Sequence, residues 1–272
     1  MLTWNINPLF LDLGILQIRY YGLCFLVAIL GGYFLWRRQI LRSDRTSDCA
    51  RRFLLLGLLG VLIGGRVGHL LFYDIQTLLN NPLEIFYFWT GGLASHGSSA
   101  GLLLALLLFS RQQKIQFIDV ADRLTFSCAW GAAWVRIGNF FNSEIVGSVT
   151  ALPFGVKFPL YDFRLPPEAV PLRHPTQIYE AVMAFAVLIA LIMIDRRRGG
   201  ERRPLGLLTC TLLALLFSGR FLIEYTKQYP SAQTHNLLTT GQWLSLPFMA
   251  VGIMGLINLY LRNLNYRSSI QK

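Results

Sequence analysis

The sequence predicts an all-α, polytopic membrane protein of about seven transmembrane helices, N-terminus outside, C-terminus cytoplasmic, with an irregular extracytoplasmic cap. Three observations carry this expectation. Hydrophobic residues fill 54% of the 272 positions and mean hydropathy is +0.47, too apolar for a soluble domain of this length. Apolar runs reach the roughly 20 residues that cross a bilayer. Arginine and lysine gather in alternate connections between those runs, which is the pattern of a chain inserted with its positive loops inside.

The seven runs are 20–36, 53–73, 93–110, 117–141, 177–194, 205–225 and 242–261. Helices are the expected form. Unpaired backbone groups are intolerable in lipid, and the runs lack the alternation of a barrel strand. No linker, repeat or low-complexity tract divides the chain, so a single integral membrane domain over 1–272 is expected. Residues 1–8 lack a basic start and a small-residue cleavage site, which argues against a cleaved signal peptide.

The connections set the orientation. Arg37, Arg38, Arg42, Arg45, Arg51 and Arg52 follow the first run, Arg111 and Lys114 the third, and Arg196, Arg197, Arg198, Arg202 and Arg203 the fifth; the tail carries Arg262, Arg267 and Lys272. Residues 74–91 contain neither lysine nor arginine. The net charge of +11 is therefore mostly a topology signal. Anionic inner-leaflet lipid accounts for it, and no nucleic-acid partner is expected. Cys24, Cys49, Cys128 and Cys210 are scattered without a CxxC pair and read as small packing residues.

Two outer segments stand apart. Residues 74–89 are long enough for a short interfacial helix with Phe86, Tyr87, Phe88 and Trp89 as an aromatic anchor. Residues 143–176 hold Pro153, Pro159, Pro166, Pro167, Pro171 and Pro175, which predicts an irregular cap. That cap is either a tether or a substrate-contacting surface.

The polar residues inside the runs are few. Counting 1.5 Å per residue from the cytoplasmic ends puts Arg66 roughly 20 Å up, Arg220 roughly 22 Å and Arg136 roughly 28 Å. His69 lies one turn beyond Arg66, His96 starts the third run, and Tyr20 and Tyr21 start the first. Five runs thus bring ionisable or phenolic groups to the outer half of the bilayer. Each charge costs roughly 2.5–3.5 kcal/mol there, which marks a functional site by default. Structural readings stand beside the functional ones. Arg66 falls within the GxxxG pair Gly64 and Gly68, a helix-packing motif. Arg220, Glu224 and Lys227 share one helix face, so an Arg220–Glu224 pair can simply neutralise charge. Arg136 and Asn139 are neighbours one turn apart, whereas Asn142 and Glu144 rotate off that face if the helix ends near Phe141.

Arginines without a carboxylate majority imply an anionic ligand, and a guanidinium grips phosphate through two parallel hydrogen bonds. At outer-leaflet depth the simplest phosphate is a phospholipid headgroup. No HExxH, paired Cys/His or DxD spacing is present, so neither a metal nor a cofactor is expected; GxSxG and Walker loops are also absent. Phospholipid chemistry and phospholipid binding both fit. A phospholipid or organic-anion transporter using the same arginines is the rival class, and the inverted repeats that favour it are not visible.

The stretch Arg136-Ile137-Gly138-Asn139-Phe140-Phe141-Asn142-Ser143-Glu144-Ile145-Val146-Gly147 resembles the R-x-G-N-F-x-N-x-E-x-x-G hallmark of prolipoprotein diacylglyceryl transferases. Tyr21-Gly22-Leu23, Gly64-Gly65-Arg66-Val67-Gly68, Gly91-Gly92 to His96-Gly97, Arg173-His174-Pro175-Thr176-Gln177 with Tyr179-Glu180, and Gly241-Gln242 match the family in order. Three positions depart from it: Val135 replaces a glycine before the motif arginine, His96-Gly97-Ser98 replaces H-G-G, and Leu216 replaces a tyrosine found in some members. The resemblance implies a bacterial inner-membrane enzyme, its active site toward the outer leaflet. It would move the diacylglyceryl group of phosphatidylglycerol to the lipobox cysteine of a prolipoprotein signal peptide and release glycerol 1-phosphate, the first step of lipoprotein maturation. On that reading His96, Arg136 and Arg220 are catalytic. Tyr21, Arg66, Asn139, Asn142, Glu144, Gly147 and Glu224 contact or orient the substrate.

Overall fold

The computed structural model describes residues 2–14, 17–87, 92–228 and 237–270, with side chains of the last helix as far as Arg262. Helices dominate it: α1 (Tyr20–Leu41), α2 (Ser47–Tyr73), α3 (Ile75–Asn80), α4 (Ser95–Gln113), α5 (Phe117–Phe141), α6 (Thr176–Arg197), α7 (Leu207–Ile223) and α8 (Thr240–Ile270). Each of the seven predicted runs is a long helix. Five are long and apolar enough to span a membrane: Tyr20–Leu41, Ser47–Tyr73, Thr176–Arg197, Leu207–Thr226 and Thr240–Arg262. By the same measure α4 and α5 fall short; α5 carries Asp119, Asp122, Arg123 and Arg136 along its length.

The helix ends follow local chemistry. α2 starts six residues before the apolar run, because the Thr46 hydroxyl accepts from the Cys49 N–H at 3.3 Å and caps it. α4 stops at Lys114, a left-handed residue with φ 52°. The N–H of Lys114 returns to Arg111 O and that of Ile115 to Ser110 O, which closes a Schellman turn. α8 tolerates Pro247 inside it and is the longest helix, at 31 residues.

The chain forms two compact units, Met1–Leu35 with Leu124–Lys272, and Trp36–Arg123. In the first, Phe126, Ala129, Val187, Leu188, Leu191, Leu208 and Leu212 make a core where α5, α6 and α7 meet. A second, smaller core of Phe140, Val146, Val156 and Phe158 with Trp4 and Ile178 sits under the 143–176 segment. That segment is not wholly irregular. Strand β1 (Leu2–Thr3) pairs parallel with β4 (Val156–Lys157), and β4 pairs antiparallel with β5 (Leu172–Arg173). β2 (Leu9–Asp12) and β3 (Gln17–Arg19) form a separate hairpin. All six prolines fall outside these short strands, so the composition signals the loops and misses the strands. Arg173 locks the segment internally: its Nε and Nη2 reach the two Asp162 carboxylate oxygens at 2.8 and 2.7 Å, beneath the Tyr161 ring.

In the second unit α2 and α4 pack backbone to backbone. A methyl group added at Gly64 or Gly68 would run into Gly97, and one at Gly101 into the Gly60 carbonyl. Trp36, Phe53 and Phe109 form an aromatic knot at the other end, with ring centroids 4.4–5.6 Å apart. The predicted interfacial segment is α3 followed by a 3-10 turn, Pro82–Phe86; Phe88 and Trp89 lie outside the described residues.

Candidate active site

The end of α5 builds the first part of the site. Arg136 Nη1 donates to Asn139 Oδ1 at 3.3 Å, one turn on. After Phe141 the chain turns through Ser143 at φ 54°, and Ser143 N–H bonds Phe140 O while Glu144 N–H bonds Asn139 O. This is a Schellman turn closed by serine in place of the usual glycine. The turn brings Glu144 back under the helix end, where its carboxylate accepts from Asn139 Nδ2 at 3.3 Å and Asn142 Nδ2 at 3.0 Å. Asn142 and Glu144, expected to rotate off the Arg136 face, are thus returned to it by one left-handed residue. Ile145 is also left-handed, at φ 55°. Gln177 Nε2 and Thr176 Oγ1, from the start of α6, hold Glu144 O and Ile145 O at 2.6 and 2.7 Å.

Carboxylates complete the arrangement. Glu180, 3% exposed in α6, takes Arg136 Nε at 2.8 Å on one oxygen and Lys227 Nζ at 2.9 Å on the other. Lys227 also meets Glu224 at 2.8 Å. The Arg220–Glu224 pair that stands as the structural alternative does not form; Glu224 pairs with Lys227. α7 ends at Ile223, and the 3-10 turn Glu224–Thr226 that follows is capped by Lys227, whose ammonium meets the Glu224 carboxylate three residues back. The Glu224 carboxylate lies against Gly241, where any side chain would collide with it, and accepts from Thr239 Oγ1 at 3.4 Å.

Arg220 makes no ion pair among the described residues. It lines a pocket of about 70 Å³ together with Arg136, Glu180, Ala132, Met183 and Leu216. Two arginines from α5 and α7 therefore face one space. Arg136 already has its carboxylate, so Arg220 brings positive charge in excess. Among the described residues, Asn142 Oδ1, Ser143 Oγ and Gln177 Oε1 are buried acceptors without a hydrogen-bond partner. Tyr21 packs its ring on Gly138, one turn below Asn142. Gly147 is buried: its N–H bonds His174 O, its carbonyl accepts from Arg173, and Thr226 O leaves no room for a side chain.

Arg66 and His96 belong to the other unit. Arg66 is 4% exposed and spends Nε on Glu84 O at 3.0 Å and Nη2 on the Glu84 carboxylate at 2.9 Å. His96 is exposed in the first turn of α4, after the Ala94 cap. His69 faces Gly92 and stacks on Tyr73, with ring centroids 5.8 Å apart.

Glu180 and Lys227 are absent from the residues the sequence nominates for the site. A signal existed for Glu180, a lone carboxylate near the start of a run with hydropathy 2.2. Lys227 was visible only as the third member of the Arg220 face, and its double role depends on the 3-10 turn.

A family model described as "Prolipoprotein diacylglyceryl transferase" matches residues 8–258. Proteins named phosphatidylglycerol--prolipoprotein diacylglyceryl transferase are similar along nearly the whole chain. The one from Tolumonas auensis is 39% identical over 256 residues, covering 93% of this chain and 96% of the relative. Those from Vibrio cholerae and Geobacter sulfurreducens are each 37% identical, covering 96% and 92% of this chain and 94% of each relative.

Proposed function

Since the chain belongs to the prolipoprotein diacylglyceryl transferase family, we propose that it transfers the diacylglyceryl group of phosphatidylglycerol to the lipobox cysteine thiol of a prolipoprotein, with glycerol 1-phosphate as the leaving group. One observation carries this at the level of the site: Arg136 and Arg220 line one pocket, and only Arg136 has a carboxylate partner among the described residues. The charged residues that line this pocket, Arg136 and Arg220 against Glu180, leave one positive charge in excess there, suited to a phosphodiester monoanion.

In the reaction a C–S bond forms at the glycerol carbon as its C–O bond to phosphorus breaks. The thiol proton must leave first, because a free cysteine has a pKa near ~8.5 and the thiolate is the nucleophile. His96 takes that proton on this reading. The electron pair of the broken bond goes to the departing phosphate, whose second negative charge Arg136 and Arg220 stabilise. Asn142 Oδ1, a buried acceptor with no partner among the described residues, suits a headgroup hydroxyl. Tyr21, Asn139, Glu144 and Glu224 hold the headgroup and the arginines in register. Gly147 contributes by letting the segment close against His174 and Thr226.

Seven spans, an outside N-terminus, a cytoplasmic C-terminus, an extracytoplasmic cap at 143–176, an inner-membrane location and one catalytic domain over 1–272 are part of the proposal. The helix lengths and the basic loops support them.

The test uses the purified protein, phosphatidylglycerol vesicles and a lipobox peptide, with transfer read by mass. Arg136→Lys and Arg220→Lys keep charge but lose the two-pronged grip. Each should insert normally, keep some lipid binding and lose most single-turnover transfer. Wild-type transfer by both would reduce the arginines to charges that hold the bundle together. Lipid movement without a peptide adduct would instead favour the transporter.

A further inference from the structure

We propose that the groove between α2 and α4 holds an anionic phospholipid, with acyl chain along the groove and phosphate on Arg52 and Arg111. The groove has a volume of about 580 Å³, and every residue lining it is aliphatic, aromatic or glycine. Leu59 and Ile63 from α2 and Leu104 from α4 line it and are more than half exposed, so no other part of the described chain closes it. Residues three and four apart share a helix face, so both rows can be followed past the end of the groove. Arg52 continues the α2 row one turn before Leu56, and Arg111 continues the α4 row three residues after Leu108. The two helices run antiparallel, with Gly60 against Gly101 and Gly64 against Gly97. The same register carries on to their ends, where the Phe53 and Phe109 rings lie 5.2 Å apart and Cys49 Sγ meets Gln113 Oε1 at 3.5 Å. It sets Arg52 level with Phe109, two residues from Arg111, so the two arginines stand about 3 Å apart along the helix axis.

Charge decides the occupant. Arg52 and Arg111 are exposed and make no ion pair among the described residues; Asp48, one turn before Arg52, is taken by Arg51. An apolar groove with a basic end matches an amphiphile of hydrocarbon chain and phosphate, and basic pockets between membrane helices are where anionic headgroups bind. Length agrees. Along α4 the groove runs from Gly97 to Leu108, about 16 Å at 1.5 Å per residue, close to one leaflet of a hydrocarbon core roughly 30 Å thick. A second copy of this chain fits less well. Copies in one membrane share an orientation, so each would bring its own Arg52 and Arg111 to the same level, and like charges set face to face repel. The lipid held here is not the one transferred: the groove shares no residue with the pocket of Arg136 and Arg220. That the basic end lies in the cytoplasmic leaflet rests on the proposed topology.

The experiment uses the full-length protein in phosphatidylcholine nanodiscs doped with phosphatidylserine or phosphatidylcholine that carries a photoreactive diazirine in one acyl chain. Phosphatidylserine is anionic but has no glycerol phosphate to release, so it probes the groove without being the substrate. After irradiation, label on α2 and α4 peptides is read by mass relative to label on α8, where Val251 and Met254 are exposed. The serine lipid should be preferred in the groove by about 25-fold, about fivefold from each arginine. Arg52→Gln and Arg111→Gln should each remove about fivefold of that preference, and the double variant all of it. Ala100→Trp, at an exposed lining position, should fill the groove and clear its label while α8 keeps its own. The double arginine variant should still transfer from phosphatidylglycerol to a lipobox peptide. Four results overturn the proposal: equal groove labelling by the two lipids, which means bulk lipid only; an undiminished preference in the double variant; crosslinks between copies through α4 in place of lipid label; or loss of transfer in a folded double variant, which would make the groove part of the substrate route. A nanodisc exposes both faces, so these outcomes do not depend on which end is cytoplasmic, and a wild type that transfers nothing refutes the proposed reaction while leaving the labelling result intact.

Discussion

Glu180 carries two cations on one buried carboxylate, Arg136 at 2.8 Å and Lys227 at 2.9 Å. Among the described residues, removing it leaves Arg136 without a carboxylate and Lys227 with Glu224 alone. Breaking a buried pair from one side costs about 3–5 kcal/mol, mostly through the charge left behind. Glu180→Gln should therefore lower the thermal midpoint in detergent sharply. Lys227→Met removes one of the two cations that share Glu180, so adding it to Glu180→Gln should cost less than the sum of the two changes, with a coupling of about 0.5–3 kcal/mol. Additive losses would show that the two side chains do not share the contact. Ser143 makes a different residue-scale point. It occupies a left-handed position that glycine prefers, at a cost of roughly 1–2 kcal/mol. From sequence, Arg136, Asn139 and Glu144 are legible as polar groups too costly to be idle. The left-handed turn that joins them is not, because serine gives no sign of it. Nor is the partner of each charge, which is a property of packing across α5, α6 and α7.

At the scale of elements, the α2–α4 contact shows how a motif can be half read. Gly64 and Gly68 announce close packing, and Gly97 and Gly101 repeat the same spacing on the partner helix. The structure sets these two pairs against each other. Gly101→Leu would force the backbones apart at Gly60, and overpacking of this kind costs about 1–3 kcal/mol. It should lower the thermal midpoint and, since α4 begins with His96, lower turnover too; an unchanged midpoint would contradict the backbone contact. The 143–176 segment is held by a contact that composition hides among prolines. Hydrogen bonding to the Asp162 carboxylate pushes the Arg173 guanidinium pKa above its ordinary value. A cation with a raised folded pKa contributes stability that is complete below the unfolded value and is lost only as pH rises through the folded one. On the arginine side the lock is therefore intact at neutral and moderately alkaline pH. Arg173→Gln should loosen the segment, seen as faster proteolysis within 150–170, while raising the pH from 7 to 10 in the wild type should not. Faster cleavage on alkalinisation alone would mean that another group holds the segment.

At the scale of the whole molecule, the prediction concerns which ends face the cytoplasm. The basic residues are not one population. Arg203 is 6% exposed and pairs with Asp195 at 3.0 Å, so it serves the turn after α6. Arg196, Arg197, Arg198 and Arg202 are exposed in that same connection and are free to meet anionic lipid. Each is worth about 1 kcal/mol at such a surface, and together they oppose translocation of the connection. The 143–176 segment sits at the other end of α6, a helix of 22 residues that is long and apolar enough to cross a membrane. The two should therefore face opposite sides. Cysteine labelling in intact cells tests this once Cys24, Cys49, Cys128 and Cys210 have been replaced. Arg198→Cys and Glu168→Cys both put the thiol at an exposed position. A membrane-impermeant maleimide should modify Glu168→Cys at once and reach Arg198→Cys only after the membrane is permeabilised. Equal labelling before permeabilisation would remove α6 from the list of spans. Inverted labelling would turn the chain over and put the Arg136 pocket toward the cytoplasmic leaflet, away from the side on which a translocated prolipoprotein offers its thiol.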